Sequence, residues 1–396
     1  MGETGLKVAA GMGRLGTETA FEVLARAKAL EAQGRSIINL GIGQPDFSTP
    51  GHIVEAAVKA LADGHHGYTP AQGIPELRRA ISIDLHRRHG VTVDPVQVLV
   101  VPGGKVTMFF AISMFGEPGA EIIYPNPGFP IYESVIRYTG ATAVPLPLRE
   151  ATGFALTAED VLARITPRTR LLILNSPANP TGGVVPRAEI DKLVAGLAHH
   201  PHVAVMSDEI YGEMLYDGAE HVSLLTYPEL ADRLILLDGF SKTYAMTGWR
   251  LGYGVWPKAL LPLAERLAVN SHSCVNAAAQ WAGIAALEGP RAPARQMVDA
   301  FAERRGRIVA ALNRLPGVSC VTPGGAFYVF PNITGTGMDS RTLQARLLDE
   351  AGIATIAGTS FGAEGEGYLR LSYAASLEAI DEAMGRFGEF LARNTR

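Results

Sequence analysis

Residues 234–250 read LILLDGFSKTYAMTGWR. The run Leu234–Leu237 is apolar without a polar alternate, the pattern of a strand covered on both faces. It passes into Asp238-Gly239-Phe240-Ser241-Lys242, where polar and small residues take over. Other runs repeat the arrangement. Val96–Val101 (VQVLVV) is β-branched and meets Pro102-Gly103-Gly104, followed by Lys105–Phe115 with helical character. Glu121–Tyr124 ends in a Pro-Asn-Pro-Gly turn, Leu171–Leu174 in the polar loop Asn175–Gly183, and Val203–Met206 in Ser207-Asp208-Glu209. Buried strands separated by helical stretches predict an α/β domain with a largely parallel sheet. In open α/β sheets ligands gather beyond the carboxyl ends of the strands. Gly103–Lys105, Asn175–Gly182, Ser207–Tyr211 and Ser241–Lys242 are therefore expected to converge on one site.

The last hundred residues read differently. Ala300–Leu315 is a charged amphipathic helix whose Arg304-Arg305-Gly306-Arg307 cluster reads as a solvated face. Gly324–Phe330 and Tyr368–Tyr373 read as strands, flanked by helices around Arg341–Ala351 and Ile380–Ala392, which predicts a smaller α+β domain. A long helix near Leu260–Leu287 is expected to join the two. The division expected is an N-terminal arm and part of the small domain over 1–50, a large domain over 51–285 and the rest of the small domain over 286–396.

Composition bounds the function. A chain of 396 residues is too long for one core, and 47% hydrophobic with 19% charged residues argues against disorder. Lys and Arg number 35 against 39 Asp and Glu, a net charge of −4, which leaves no basic field for nucleic acid or an anionic membrane. The two cysteines, Cys274 and Cys320, exclude a disulfide scaffold and a Cys-rich zinc site. Met1–Gly16 lacks the apolar stretch of a signal peptide, and Leu6 stands where an acylation motif needs Ser or Thr. With no apolar stretch long enough to span a membrane, a cytoplasmic enzyme is expected.

Two other motifs compete for attention. Gly11-Met12-Gly13-Arg14-Leu15-Gly16 matches a dinucleotide-binding glycine pattern, with Leu6–Ala10 as a possible strand before it and a helical Thr19–Ala32 after it. The next strand candidate, Ser36–Leu40, offers no acid for a ribose hydroxyl, so the stretch reads as a flexible glycine-rich arm. His199, His200 and His202 crowd a Pro-containing loop without a carboxylate or helical His spacing, which reads as a surface turn and gives no metal site.

The chemistry centres on Lys242. It lies just past a buried strand among small and aromatic residues, where desolvation lowers an amine's pKa and frees it as a nucleophile. Taken alone it would read as a salt-bridged structural lysine. Ser241 precedes it and Arg250 follows, a hydroxyl and a guanidinium suited to a phosphate ester. Gly103-Gly104-Lys105 adds a helix N-terminus with free N–H groups. A Schiff-base lysine beside a phosphate cradle suggests pyridoxal 5′-phosphate (PLP). That cofactor also needs a carboxylate at its ring nitrogen, and Asp208, which could otherwise serve as a helix cap, is well placed.

Ser241-Lys242-Thr243-Tyr244-Ala245-Met246-Thr247-Gly248-Trp249-Arg250 resembles the lysine segment of the fold-type I, class I/II aminotransferases, most nearly their bacterial aspartate aminotransferase branch. Ala178–Gly182, Ser207–Tyr211 and Tyr368–Tyr373 resemble three further signatures of that family in the same order, and Leu40–Phe47 and Tyr68–Gly73 extend the resemblance towards the N-terminus. It implies a fold-type I PLP transferase: a three-layer α/β/α large domain with a mainly parallel sheet, plus a smaller α+β domain.

It also implies residue roles. Lys242 carries PLP as a Schiff base and then shuttles the substrate proton, Asp208 pairs with the ring nitrogen, and Asn179 and Tyr211 hydrogen-bond the ring's phenolic oxygen. Phe129 stacks on the ring. Many relatives have Trp or Tyr there, so a hydrogen bond is lost while the stack is kept. Gly103, Gly104, Lys105, Ser241 and Arg250 make the phosphate cradle, and Arg370, with Gly43 and Asn179 nearby, grips the substrate α-carboxylate. Tyr68 crosses to the phosphate of a neighbouring subunit, which implies a homodimer. The activity implied is transfer of an amino group from an L-amino acid to a 2-oxo acid by a ping-pong route.

The donor is harder to read. One aspartate-specific branch uses an arginine beyond the Arg250 segment for the distal carboxylate, and none stands between Arg266 and Arg291. Another uses a lysine directly after the two glycines, where Lys105 stands. A solvated first-turn lysine is the plainer reading, but a cation at a helix N-terminus is mildly unfavourable, so a function is favoured. Aspartate with 2-oxoglutarate is the expected pair, with prephenate/glutamate as a close variant. Alanine, aromatic or pathway-specific donors and a PLP-dependent lyase or synthase are the alternatives. A PLP-sensing regulator would need a basic DNA-binding domain ahead of the match.

Overall fold

The computed structural model describes residues 6–394; Met1–Gly5, where the acylation reading begins, lie outside the described residues. Twelve strands are formed among the described residues: β1 (Ile38–Asn39), β2 (Val98–Val101), β3 (Glu121–Asn126), β4 (Thr142–Pro147), β5 (Thr169–Asn175), β6 (Ala204–Asp208), β7 (Leu234–Gly239), β8 (Gly252–Val255), β9 (Tyr328–Val329), β10 (Ile353–Ala354), β11 (Ile356–Ala357) and β12 (Leu369–Ser372). Seven make one sheet in the order β2-β8-β7-β6-β5-β3-β4. Strands β7, β6, β5, β3 and β4 pair in parallel, and β8 runs antiparallel to both β2 and β7.

Both faces of this sheet are covered, which is why its strands read as unbroken apolar runs. Val98, Val100 and Leu236 pack on one face against helices Gly51–Ala62, Pro75–His89 and Ala277–Glu288. Leu99, Val101, Ile235 and Leu237 pack on the other against helices Lys105–Phe115, Ile131–Thr139 and Leu261–Ser271. The result is a three-layer α/β/α sandwich with a mainly parallel sheet, the fold-type I arrangement.

The remaining strands form two small sheets. The antiparallel set β11-β12-β9 carries Arg370 at its centre, and β1 pairs in parallel with β10, Ile38 against Ile353. Helices Ala292–Leu312 and Leu377–Asn394 pack on them over a core that includes Phe301, Phe327, Phe387 and Phe390.

Several local expectations are corrected. The helix expected over 260–287 is two, Leu261–Ser271 and Ala277–Glu288. Ser273 between them is left-handed at φ 61°, and the Asn276 side chain accepts the Ala279 N–H at 2.9 Å, starting the second helix. The arginine cluster is not uniformly solvated. Arg307 is exposed with Asp381, but Arg305 is buried, bonds both Asp217 carboxylate oxygens at 2.7 Å and lies over the Tyr216 ring.

Among the described residues no strand precedes the glycine-rich arm; Ala10–Arg14 is a short 3₁₀ turn. Nor is it loose. Arg14 donates to the carbonyls of Arg137 (2.7 Å) and Tyr138 (3.1 Å), and the Gly16 N–H to Ser134 Oγ (2.9 Å). No helix of the described residues is long and apolar enough to cross a membrane.

Candidate active site

The carboxyl ends of β5, β6 and β7 open into a cavity of about 600 Å³. Asn179, Asp208, Tyr211, Ser241, Lys242, Arg250, Phe129, Gly104, Lys105, Gly43 and Arg370 all line it. Residues spread from 43 to 370 thus meet at one sheet edge, most of them on loops that leave parallel strands in the same direction.

Lys242 follows β7 in the turn that ends it. Its Nζ donates to the Gly43 carbonyl at 2.5 Å and lies 5.8 Å from the Tyr211 ring centroid and 5.6 Å from that of Phe327. It is part-buried and lines the cavity. Desolvation, then the positive charges of Arg370 and Arg250, pull the amine down to about 8, against opposition from Glu18 and Asp208. A large share of Lys242 is therefore a neutral nucleophile near pH 8.

Asp208 ends β6 and is buried. Its carboxylate accepts the Tyr132 hydroxyl at 2.6 Å and the Ile210 N–H at 3.3 Å, so the cap-like bond and a second contact coexist. Burial pushes this carboxyl up to about 6, the two hydrogen bonds pull it down, and Asp238 and Glu209 push it up further. It makes no ion pair with a described side chain. A buried carboxylate of this kind is stabilised by any cation brought to it.

Arg370 enters from the small sheet on β12. One arm donates to Asn179 Oδ1 at 3.1 Å and the other to the Gly41 carbonyl at 2.5 Å, while Nε is buried without a partner among the described residues. The guanidinium carbon lies 4.7 Å from each of the Tyr328 and Phe361 ring centroids. Burial lowers its pKa. The fork is held rigidly while donor capacity remains unused, which suits an incoming carboxylate.

The glycine loop is shaped by close approach. Gly103 has φ 91°, and a Cβ there would collide with the Arg250 guanidinium; Arg250 is itself left-handed at φ 54°. Gly103 does not line the cavity; it lets the chain turn behind Arg250 so that Gly104 begins the helix Lys105–Phe115. A Cβ on Gly43 would run into the Tyr328 hydroxyl.

Lys105 reaches the cavity, 5.3 Å from the Phe129 centroid, but it is not free: its Nζ is paired with the Glu18 carboxylate. Tyr68 is not brought to this cavity and is 95% exposed. Three residues of the site were not singled out from sequence. Tyr132 bonds Asp208, the Tyr328 hydroxyl lies 2.8 Å from that of Tyr211, and Glu18 holds Lys105. Tyr132 follows Phe129 at a helical spacing and Tyr328 stands in an apolar strand, so both patterns read as core.

The residues fit PLP. Gly104 and Lys105 at a helix N-terminus line the cavity together with Ser241 and Arg250, Lys242 is a depressed amine, and Asp208 is a buried carboxylate without a cation among the described residues.

Comparison with known proteins gives the same frame. The family model described as aminotransferase class I and II matches residues 35–387. An aspartate aminotransferase of Geobacillus stearothermophilus is 38% identical over 98% of this chain and 99% of its own. An aspartate/prephenate aminotransferase of Cereibacter sphaeroides is 38% identical over 96% of this chain and 98% of its own. The crystal structure of an aspartate aminotransferase from Rhizobium meliloti superposes with a TM-score of 0.93 at 34% identity, covering 98% of this chain and 99% of that one.

Proposed function

The chain belongs to the class I and II aminotransferases and is an enzyme that transfers amino groups; from that premise we propose that L-aspartate is its donor and 2-oxoglutarate its acceptor, exchanged by a ping-pong route on PLP, the family's usual cofactor. When bound, PLP supplies an electron sink that lets the substrate Cα–H bond ionise. The chain's own residues supply the rest.

In this reading Gly104 and Lys105 N–H groups, Ser241 and Arg250 hold the phosphate. Asp208, kept in place by Tyr132, holds the proton on the ring nitrogen. Asn179 and Tyr211 would hydrogen-bond the phenolic oxygen, and Phe129 would pack against the ring. Lys242 would hold the cofactor covalently, and its free amine would take the proton at the substrate Cα; a pKa of about 8 suits that task near neutrality. Arg370 fixes the α-carboxylate, beside Gly43, and so aims the Cα–H bond. Lys105 takes the distal carboxylate of a dicarboxylic donor. Phe21, Leu24, Ile42 and Met108 line the cavity with apolar surface that excludes water.

The observation that carries the reading is one cavity lined by a depressed lysine amine, a buried unpaired carboxylate and an arginine fork with a partnerless Nε. The aspartate preference draws on Lys105 and on the names of the relatives. We further propose a cytoplasmic homodimer in which the exposed Tyr68 serves the neighbouring subunit, with a large domain over 51–285 and a small one drawn from 1–50 and 286–396. The pairing of β1 with β10 supports that division.

Titrating PLP-loaded protein with L-aspartate, L-glutamate, L-alanine and L-phenylalanine, while following the cofactor's absorbance, tests the proposal. Conversion of the band with a stoichiometric yield of 2-oxo acid, best for the dicarboxylic donors, is expected. A best response to neutral donors would remove Lys105 as the distal clamp. Conversion by none would point to a lyase or a rarer amine.

A further inference from the structure

We propose that Glu18 is a specificity-determining residue: its carboxylate stands on Lys105 in the place a dicarboxylic substrate's distal carboxylate would take, so that such a substrate binds by displacing it. The inference rests on the reading of Lys105 as the distal clamp and deepens it.

Glu18 is the residue before the helix Thr19–Ala32, 87 residues from Lys105 in sequence. Both line the same cavity as Lys242 and Arg370. The Glu18 side chain is 16% exposed and that of Lys105 45%, so the pair sits at the cavity wall, away from bulk solvent on the carboxylate's side. The segment that presents Glu18 is anchored close by, through the Gly16 N–H on Ser134 Oγ and Arg14 on the Arg137 carbonyl. The carboxylate is therefore held beside the cation at high effective concentration, with little ordering left to lose. Its charge also reaches the two groups the chemistry needs. Burial lowers both Lys242 and Arg370, and Glu18 is among the charges that oppose the shift at each.

The consequence differs with the substrate's side chain. A neutral side chain leaves the Glu18–Lys105 pair intact and meets Phe21, Leu24, Ile42 and Met108, so it displaces no charge. A distal carboxylate must exchange with Glu18 on Lys105 or sit beside a like charge. Glu18 thus handicaps dicarboxylates against neutral substrates, and its removal is expected to favour them selectively.

The test uses PLP-loaded enzyme and equilibrium binding by calorimetry of two unreactive acids, maleate and 3-phenylpropionate. Glu18→Gln is expected to bind maleate about tenfold more tightly, the worth of one charge-assisted bond to Lys105 no longer contested. Its affinity for 3-phenylpropionate should change by less than about twofold, because that ligand leaves Lys105 alone. Lys105→Met should weaken maleate by about tenfold, and in the double variant the Glu18→Gln gain should vanish. Glu18→Ala should repeat the direction of Glu18→Gln. If Lys105→Met weakens maleate but neither Glu18 variant tightens it, Glu18 has no such role and the clamp stands. If Lys105→Met leaves maleate unchanged, the clamp reading falls and the inference falls with it.

Discussion

Replacing Arg370 by lysine separates charge from geometry at the centre of the site. Lysine keeps the positive charge and can still donate to Asn179 Oδ1 or the Gly41 carbonyl, which now bond the arginine at 3.1 and 2.5 Å. It cannot donate to both and also meet a carboxylate with two parallel N–H groups. The contact of a planar guanidinium with the Tyr328 and Phe361 rings is lost as well.

The part of this that substrate binding reads is one charge-assisted bond, about 1.5–3 kcal/mol, or roughly tenfold to a hundredfold in affinity. Methionine would be the blunter choice, since it leaves both protein acceptors buried without donors at about 1–3 kcal/mol each and confounds binding with stability. The assay is single-turnover kinetics on PLP-loaded enzyme, where the dependence of rate on donor concentration yields a dissociation constant apart from the limiting rate. L-Aspartate, L-alanine and L-phenylalanine share the α-carboxylate, so all three dissociation constants should rise by a similar factor. An affinity within twofold of the parent, or a loss confined to aspartate, would refute the assignment of Arg370 to the α-carboxylate.

Three further outcomes follow from the geometry. Lys242→Ala should abolish turnover yet retain PLP through the phosphate cradle, as equilibrium dialysis and absorbance would show; turnover within about tenfold of the parent would exclude Lys242 as the reacting amine. Attachment of PLP to the apoprotein needs the neutral amine, so its rate should rise with pH through about 8 and level off above; an apparent pKa near the ordinary value of 10.5 would contradict the burial of Lys242. Gly103→Ala forces a Cβ into the Arg250 guanidinium at φ 91° and should weaken PLP retention by about tenfold or more, equal to about 1.4 kcal/mol; unchanged retention would mean that Arg250 is dispensable to the cradle.

The sheet was largely legible because burial on both faces writes itself as apolar runs. Strands β2, β3, β6 and β7 are buried at every residue, and each overlaps a run readable beforehand. Strand β4 escaped notice because it is an edge strand, carries two prolines and is half exposed, so neither alternation nor a continuous apolar run marks it. Strand β8, Gly-Tyr-Gly-Val, was hidden by its glycines. A Cβ on Gly252 would collide with the backbone of Gly103 and Gly104, so the sheet trades strand propensity there for close approach to the glycine loop. The helix break at 272–276 turns on one side-chain cap, a signal too short to stand out from an apolar helical pattern.

The site divides by how its partners are chosen. Lys242, Asp208 and Asn179 lie at or just beyond the ends of parallel strands, where topology alone sends them to one edge; Arg370, though on a different sheet, sits in a signature stretch, so residue type and position were enough. Tyr132 and Tyr328 reach Asp208 and Tyr211 through hydroxyls on side chains that otherwise belong to the core, and no periodicity separates a buried tyrosine with such a partner from one without. Glu18 lies further still from the reach of pattern. Lys105 could be suspected because a cation is out of place at a helix N-terminus, but what neutralises it arrives from the start of another helix. A lysine read alone predicts a dicarboxylate; the same lysine with Glu18 on it predicts a competition, whose balance depends on how firmly residues 14–18 are pinned to the helix Ile131–Thr139. If the proposal holds, donor choice turns on this tertiary pair, and relatives with the same lysine and a different residue at position 18 are expected to rank aspartate against neutral donors differently.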